Sequence, residues 1–268
     1  MSRRGLALVL DPMRATRRGA IAWALAIGAL VAATVAFWPA FKGATDLTQI
    51  IDELPGGIVE AFGLQGFGTP AGYLRGNLYD LLVPLLLGSA SVALANGLTS
   101  AEEDAGRLEL VLVQPVTRVA AFAGRALAVA AWTAVLTAAV AAFQLASDAA
   151  FGLEIASDRL AAAVVLSGLL ALLHGGLALA VAGFAPKPSA VLGIGLTVLV
   201  AGFLVAALFP LSEPLRPWAR ISPWDWAFGG DPLVNGAEPW RYLALAVPSI
   251  ALVAAGLAGF ARRDVRAA

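Results

Sequence analysis

A dense cluster of charged side chains stands between two long apolar stretches of the 268-residue sequence, at residues 99–118. It holds four carboxylates and two arginines: Glu102, Glu103, Asp104, Glu109, Arg107 and Arg118. Carboxylates and guanidinium groups form strong charge-assisted hydrogen bonds, which suits docking onto a partner in water. Because charged side chains are costly in lipid, we expect this segment to lie outside the membrane and to meet another protein.

Residues that could carry catalysis are scarce. The chain has no cysteine and a single histidine, His174, which excludes disulfides, thiol chemistry and Cys-based metal sites. Neither Lys42 nor Lys187 stands in a phosphate-binding Gly-x-x-x-x-Gly-Lys-Ser/Thr loop, and no Gly-x-Ser-x-Gly nucleophile motif occurs. We therefore predict that the chain is not an enzyme, has no catalytic residue and binds no metal or cofactor itself.

The composition indicates a membrane protein. Hydrophobic residues make up 60% of the chain and charged residues 13%, with a mean hydropathy of +0.82, whereas soluble domains carry about 25% charged residues. Barrel strands would alternate apolar and polar residues, and the apolar runs do not. We predict one all-α domain over residues 1–268 with six spans of about 20 residues each. They cover about 21–41, 78–98, 119–143, 160–184, 190–211 and 242–260.

Arginine and lysine orient the spans, because cytoplasmic loops are enriched in them. With the N-terminus inside, twelve of these residues lie on the cytoplasmic side and six outside. Both termini and residues 99–118 are therefore predicted to be cytoplasmic. No cleaved signal peptide is evident, and residues 1–18 are predicted to form an amphipathic helix on the membrane surface or a basic tail.

The loop at residues 212–241 is rich in tryptophan and proline and falls on the outer side. Tryptophan favours the lipid–water interface, because its ring is apolar and its N–H needs a partner. We predict a broken or re-entrant segment that anchors at the outer surface, with a substrate lid as the alternative.

Two polar residues within the spans are candidates for lining a transport path, Asn96 and His174. Intramembrane polar side chains mark substrate or proton pathways. They also form hydrogen bonds between helices, and for both residues this second interpretation is favoured.

Local signals predict a short amphipathic helix over residues 100–114. Ser100 followed by Glu103 fits a capping box, and the same arrangement occurs one residue earlier. Pro115 is expected to end the helix, and Thr117 is placed to cap the next span. Apolar positions with helical spacing lie between them, at Leu108, Val111 and Leu112.

Residues 102–118, Glu-Glu-Asp-Ala-Gly-Arg-Leu-Glu-Leu-Val-Leu-Val-Gln-Pro-Val-Thr-Arg, resemble the signature of type-2 ABC exporter permeases. That signature has acidic residues, a glycine, a polar residue, Leu-Glu-Leu-Leu, a variable pair and Pro-Val-Ser/Thr-Arg. Arg107 stands where the family usually has threonine, and Val111 replaces a common leucine. Residues 221–226, Ile-Ser-Pro-Trp-Asp-Trp, and residues 231–236, Asp-Pro-Leu-Val-Asn-Gly, are also similar to the outer loop of bacterial permeases linked to drug, antibiotic and polyketide efflux.

The resemblance implies a half-transporter with the type-2 exporter fold in a bacterial cytoplasmic membrane. This fold has an amphipathic N-terminal helix, six spans and a cytoplasmic coupling helix between spans two and three. A second permease subunit, identical or paralogous, would complete the path, and two ABC ATPase subunits would bind ATP and magnesium; no nucleic acid is involved. The residues expected to contact the ATPase are Glu102, Glu103, Gly106, Arg107, Leu108, Glu109 and Pro115.

The expected function is outward transport of a hydrophobic or amphipathic, drug-like small molecule. Two alternatives stay open on the sequence. The chain could be a membrane anchor or assembly protein that docks a soluble partner through residues 99–118. An ion-coupled carrier is less favoured, because His174 is the one ionisable side chain near the middle of a span.

Overall fold

The computed structural model describes residues 3–42, 53–55, 66, 68–108 and 116–263, with side chains from residue 6 onward. Within these ranges the secondary structure is entirely helical. In the described part of the chain, six helices are long and apolar enough to cross a membrane, which agrees with the predicted number, and the chain is a multi-pass membrane protein. They are α1 (Arg3–Ala36), α2 (Leu82–Leu98), α3 (Arg118–Phe151), α4 (Ser157–Phe184), α5 (Pro188–Leu208) and α6 (Pro239–Arg262).

Short helical pieces extend these helices at their ends. Trp38–Phe41 follows α1, Pro70–Leu74 and a π-helical turn at Arg75–Tyr79 precede α2, and a 3-10 turn at Phe209–Leu211 follows α5. With these extensions, each predicted span lies within one helical unit. Long apolar runs form helices here because the backbone polar groups must be satisfied within the lipid.

The N-terminal segment is helical but is not separate from the first span. α1 continues through Pro12, although proline removes the hydrogen bond to the carbonyl four residues earlier and crowds it. That carbonyl, of Leu8, lies against Gly124 of α3, where an added Cβ would come within 2.5 Å of it. The absence of a side chain at Gly124 lets the two helices approach closely, so the N-terminal helix packs on α3.

Close contacts at glycine define two helix pairs. Gly28 of α1 contacts the Phe143 ring of α3. Gly28 lies 20 residues after Leu8, and Phe143 lies 19 residues after Gly124, so α1 and α3 run parallel. Gly183 of α4 meets the backbone of Gly256 in α6, while Gly176 meets Ser249, and this pair is also parallel. α4 packs against α2, α3, α5 and α6, and its apolar stretch is the most buried of the six.

A segment that we call the outer segment after its predicted side (residues 209–238) connects α5 and α6 through short helices and 3-10 turns. Its Trp224 indole N–H donates to the Leu199 carbonyl at 3.1 Å, and the Ser222 hydroxyl donates to the Gly202 carbonyl at 2.6 Å. Leu199 lies nine residues before the end of α5 at Leu208, which is about 13 Å along a helix. The segment is thus broken and folds back along α5, while its role as anchor or lid stays a prediction.

Two arginines fasten the outer segment to the bundle. Arg75 pairs with Asp231, which has a left-handed φ of 53°, at 2.5 Å and with Asp80 at 3.5 Å. Arg241, in the first turn of α6, donates to the Asp225 carbonyl at 3.0 Å. These contacts connect the segment to the start of α2 and the start of α6.

Candidate functional site

The charged cluster lies in a corner between α2 and α3, which we call the polar corner (residues 99–108). A corner helix, Ser100–Asp104, follows the end of α2. It ends at Gly106, which has a φ of +69° and donates its N–H to the Glu103 carbonyl at 2.9 Å. Left-handed glycine with this bond is a common helix C-terminal cap. The prediction of one helix over 100–114 is therefore wrong in its described part, because the chain turns at Gly106.

The predicted capping box is also wrong. The Thr99 hydroxyl donates back to the Ala95 carbonyl of α2 at 2.5 Å, and it does not cap the corner helix. The Ser100 hydroxyl is buried and has no hydrogen-bond partner in the part of the chain that the structure describes. By contrast, Thr117 caps α3 as predicted, because its hydroxyl oxygen accepts from the Ala120 N–H at 3.1 Å.

Glu102 points from the polar corner into α3. Its Oε2 accepts from Nη2 of Arg125 at 2.8 Å and from Nε at 3.2 Å. The same guanidinium donates through Nη1 to the Ala121 carbonyl of its own helix at 3.2 Å. Arg125 is only 4% exposed, so this is a buried ion pair whose charges depend on each other.

Glu103 points the other way, to the end of α6. Arg263 donates from Nη1 to Oε1 and from Nη2 to Oε2, each at 2.6 Å. This two-bond geometry matches the planar guanidinium to the carboxylate. Arg263 also donates from Nε to the Gly183 carbonyl at the end of α4, at 2.9 Å. Its own carbonyl accepts from Arg118, the first residue of α3, at 2.8 Å.

Five of the seven residues predicted to contact an ATPase are described; Gly106 is half-buried at the turn, and the other four divide into two groups. Glu102, Glu103 and Leu108 face the bundle, and Leu108 is buried. By contrast, Arg107 is exposed, and so is Asp104, three residues earlier. Two others, Glu109 and Pro115, lie outside the described residues. Contact of any of these residues with an ATPase stays a prediction.

Sequence reasoning missed Arg125 and Arg263 as partners of the glutamates and counted them only as charges that orient the spans. A signal existed for Arg125, which stands among small apolar residues at the start of a span, where a charge needs compensation. For Arg263 the signal was weaker, because it follows another arginine at the end of the last span.

The two candidate path residues are both buried. The Asn96 side chain is 7% exposed, and its Oδ1 has no hydrogen-bond partner within the described ranges. The His174 Nδ1–H donates to the Leu170 carbonyl of its own helix at 2.8 Å, so this bond is not the predicted bond between helices. Helices α2 and α3 are instead joined mid-span by a hydrogen bond between the Ser91 and Thr133 hydroxyls at 3.0 Å.

A shallow cavity of about 120 Å³ lies at the end of the bundle opposite the polar corner. It is lined by residues such as Thr69, Glu154 and Arg159. Drug-sized ligands occupy about 300–1,000 Å³. This cavity is therefore too small to hold such a molecule.

One comparison places the chain among known proteins. A family model described as "Multidrug efflux system permease Rv1217c, C-terminal domain" matches residues 5–261. No curated protein matches the chain. The matched residues include the six long helices, except the first two residues of α1 and the last residue of α6, together with the polar corner and the outer segment. The chain therefore belongs to the family of the multidrug efflux system permease C-terminal domain.

Proposed function

We propose that this chain is the membrane-spanning subunit of an ATP-binding-cassette exporter. In this function it moves a hydrophobic or amphipathic small molecule out of the cell, and a separate ATPase chain supplies the energy. Two copies of the ATPase would dock on the side of the polar corner, which would be cytoplasmic together with both termini. A second six-span unit, identical or paralogous, would complete the transport path in a bacterial cytoplasmic membrane.

The polar corner is the observation that carries this proposal. A short helix that ends at exposed Asp104 stands at a sharp turn between α2 and α3, and exposed Arg107 follows the turn. The neighbouring Glu102 and Glu103 connect it to α3 and to the end of α6. A push on this helix would reach several spans, which is what an external motor requires. Membership of a multidrug efflux permease family supports the efflux direction.

The test is reconstitution of the purified chain with a candidate P-loop ATPase in proteoliposomes. We expect ATP hydrolysis to be faster with the permease than without it, and we expect ATP to drive movement of the fluorescent cation ethidium. The control is an ATPase variant whose P-loop lysine is replaced, because this lysine contacts the phosphates.

Two outcomes would favour the alternatives. Ethidium movement that follows an ion gradient and ignores ATP would indicate an ion-coupled carrier. A stable complex with a soluble partner, without dye movement under either driving force, would indicate an anchoring or assembly protein.

A further inference from the structure

Arg263 connects the polar corner to the ends of two long helices. Its guanidinium holds the Glu103 carboxylate by two bonds of 2.6 Å and the Gly183 carbonyl by one of 2.9 Å. The central carbon of its guanidinium group, Cζ, lies 5.0 Å from the centre of the Phe260 ring. The corner helix, the end of α4 and the end of α6 therefore meet at one arginine.

The ion pair is largely shielded from water. The Glu103 side chain is 5% exposed and that of Arg263 is 16% exposed. Coulomb attraction is weakened little by solvent at such a site, and separating the charges would leave a buried carboxylate unpaired. The two charged groups are therefore harder to separate than those of an exposed surface pair.

Behind Arg263, α4 and α6 are packed too closely to slide past each other. An added Cβ at Gly256 would lie 2.6 Å from the Leu179 carbonyl oxygen, and one at Gly183 would lie 2.7 Å from the Gly256 Cα. About two turns away, an added Cβ at Gly176 would lie 3.0 Å from the Ser249 carbonyl oxygen. Such backbone contacts join helices tightly in membranes, so a force on the end of one helix is carried by both.

We propose that Arg263 is a positioning residue for energy coupling, an inference that rests on the proposed function. The chain itself joins the polar corner to α2 and α3. Through Glu103, Arg263 adds a second connection, from the corner to the packed pair of α4 and α6. Movement of the corner under ATP then displaces four spans together. Without Arg263 the corner would reach α4 and α6 only through the packing of α4 against α2 and α3.

The test compares Arg263→Gln with Arg262→Gln in the complete complex with the ATPase. Both changes remove one positive charge, but Arg262 is the exposed neighbour at the end of α6. The measured quantity is ethidium transported per ATP hydrolysed. We expect Arg263→Gln to lower this ratio about tenfold, within the usual range of coupling between sites, and we expect Arg262→Gln to leave it unchanged.

A crosslinking experiment keeps the inference testable if Arg263→Gln folds poorly. The chain has no native cysteine, so the pair Glu103→Cys and Arg263→Cys adds the only two thiols of this subunit. Before crosslinking, we expect this double variant to transport little ethidium per ATP hydrolysed. After a short thiol–thiol crosslinker has joined the two cysteines, we expect this ratio to recover. A ratio that stays low after complete crosslinking would overturn the inference.

The two proposals fail in different ways. Absence of ATP-driven transport in the wild-type complex would overturn the proposed function and this inference with it. ATP-driven transport in the wild type with an unchanged ratio in Arg263→Gln would overturn this inference alone.

Discussion

At the scale of single residues, the adjacent glutamates of the polar corner bind partners on different helices. Successive residues of a helix point about 100° apart, so Glu102 reaches Arg125 while Glu103 reaches Arg263. Reversing the charge at Glu102 would bring two cations together and disturb the bundle. Docking of a partner is therefore better tested at the exposed residues of the corner.

The first prediction concerns Asp104 and Arg107, whose side chains are exposed. Reversing both charges, with Asp104→Lys and Arg107→Glu, should weaken binding of the proposed ATPase about tenfold, which is about 1.4 kcal/mol, because like charges that face each other across an interface repel. Stability of the permease alone should change by less than about 0.5 kcal/mol, as is usual for exposed sites. The affinity is measured as binding of the ATPase to permease that is immobilised on a surface. Equal affinity of variant and wild type would contradict the prediction.

The second prediction concerns the buried pair of Glu102 and Arg125. Arg125→Met should lower the free energy of unfolding by about 3–5 kcal/mol, because the Glu102 carboxylate is left without its cation. Adding Glu102→Gln to that variant should recover much of the loss, because the remaining group is neutral. Unfolding by SDS in mixed micelles measures both, and Arg107→Met is the exposed control. Equal losses in the single and double variants would exclude this explanation.

At the scale of helices, the pairing of α4 with α6 depends on glycine. Gly183→Ala should cost about 1–3 kcal/mol of stability, the usual range for overpacking, because its Cβ would overlap with backbone atoms of Gly256 that cannot rotate away. Gly193→Ala in α5 is the matched control, since nothing lies within 4 Å of an added Cβ there. The same SDS titration measures both, and equal stability of the two variants would contradict the proposed close contact.

The sequence predicted the helices well and their connections less well, for a physical reason. A span depends on local composition, so six apolar runs were enough to find six helices. The N-terminal cap of α3 at Thr117 was equally local. Gly106 carried a signal for the helix end, but the apolar spacing that continues to Leu112 outweighed it.

Contacts between distant residues left no local pattern to read. Glu103 and Arg263 are 160 residues apart, and Glu102 and Arg125 are 23 apart. Only the packing of α6 beside α4 brings the first pair together. A sequence can show that a buried charge needs a partner, but it does not show which of several arginines provides it.

At the scale of the whole molecule, arginines bind both ends of the bundle. Arg263 joins helix ends at the polar corner, while Arg75 and Arg241 hold the outer segment at the opposite end. Opening a passage between α2, α4 and α6 of one unit would have to break these contacts. Separation of this unit from a second one would leave them intact, and this favours a path between two units.

The last prediction follows from that difference. A path within one unit would compete with the arginine contacts at both ends of the bundle, so we expect active complexes to contain two six-span units. Ser157→Cys at the exposed start of α4 provides one labelling site in a chain without native cysteine. Photobleaching of single labelled complexes in proteoliposomes should show two steps for a homodimer, or one step with a co-purified paralogue. ATP-driven ethidium transport by complexes that hold one copy and no paralogue would contradict a path between units.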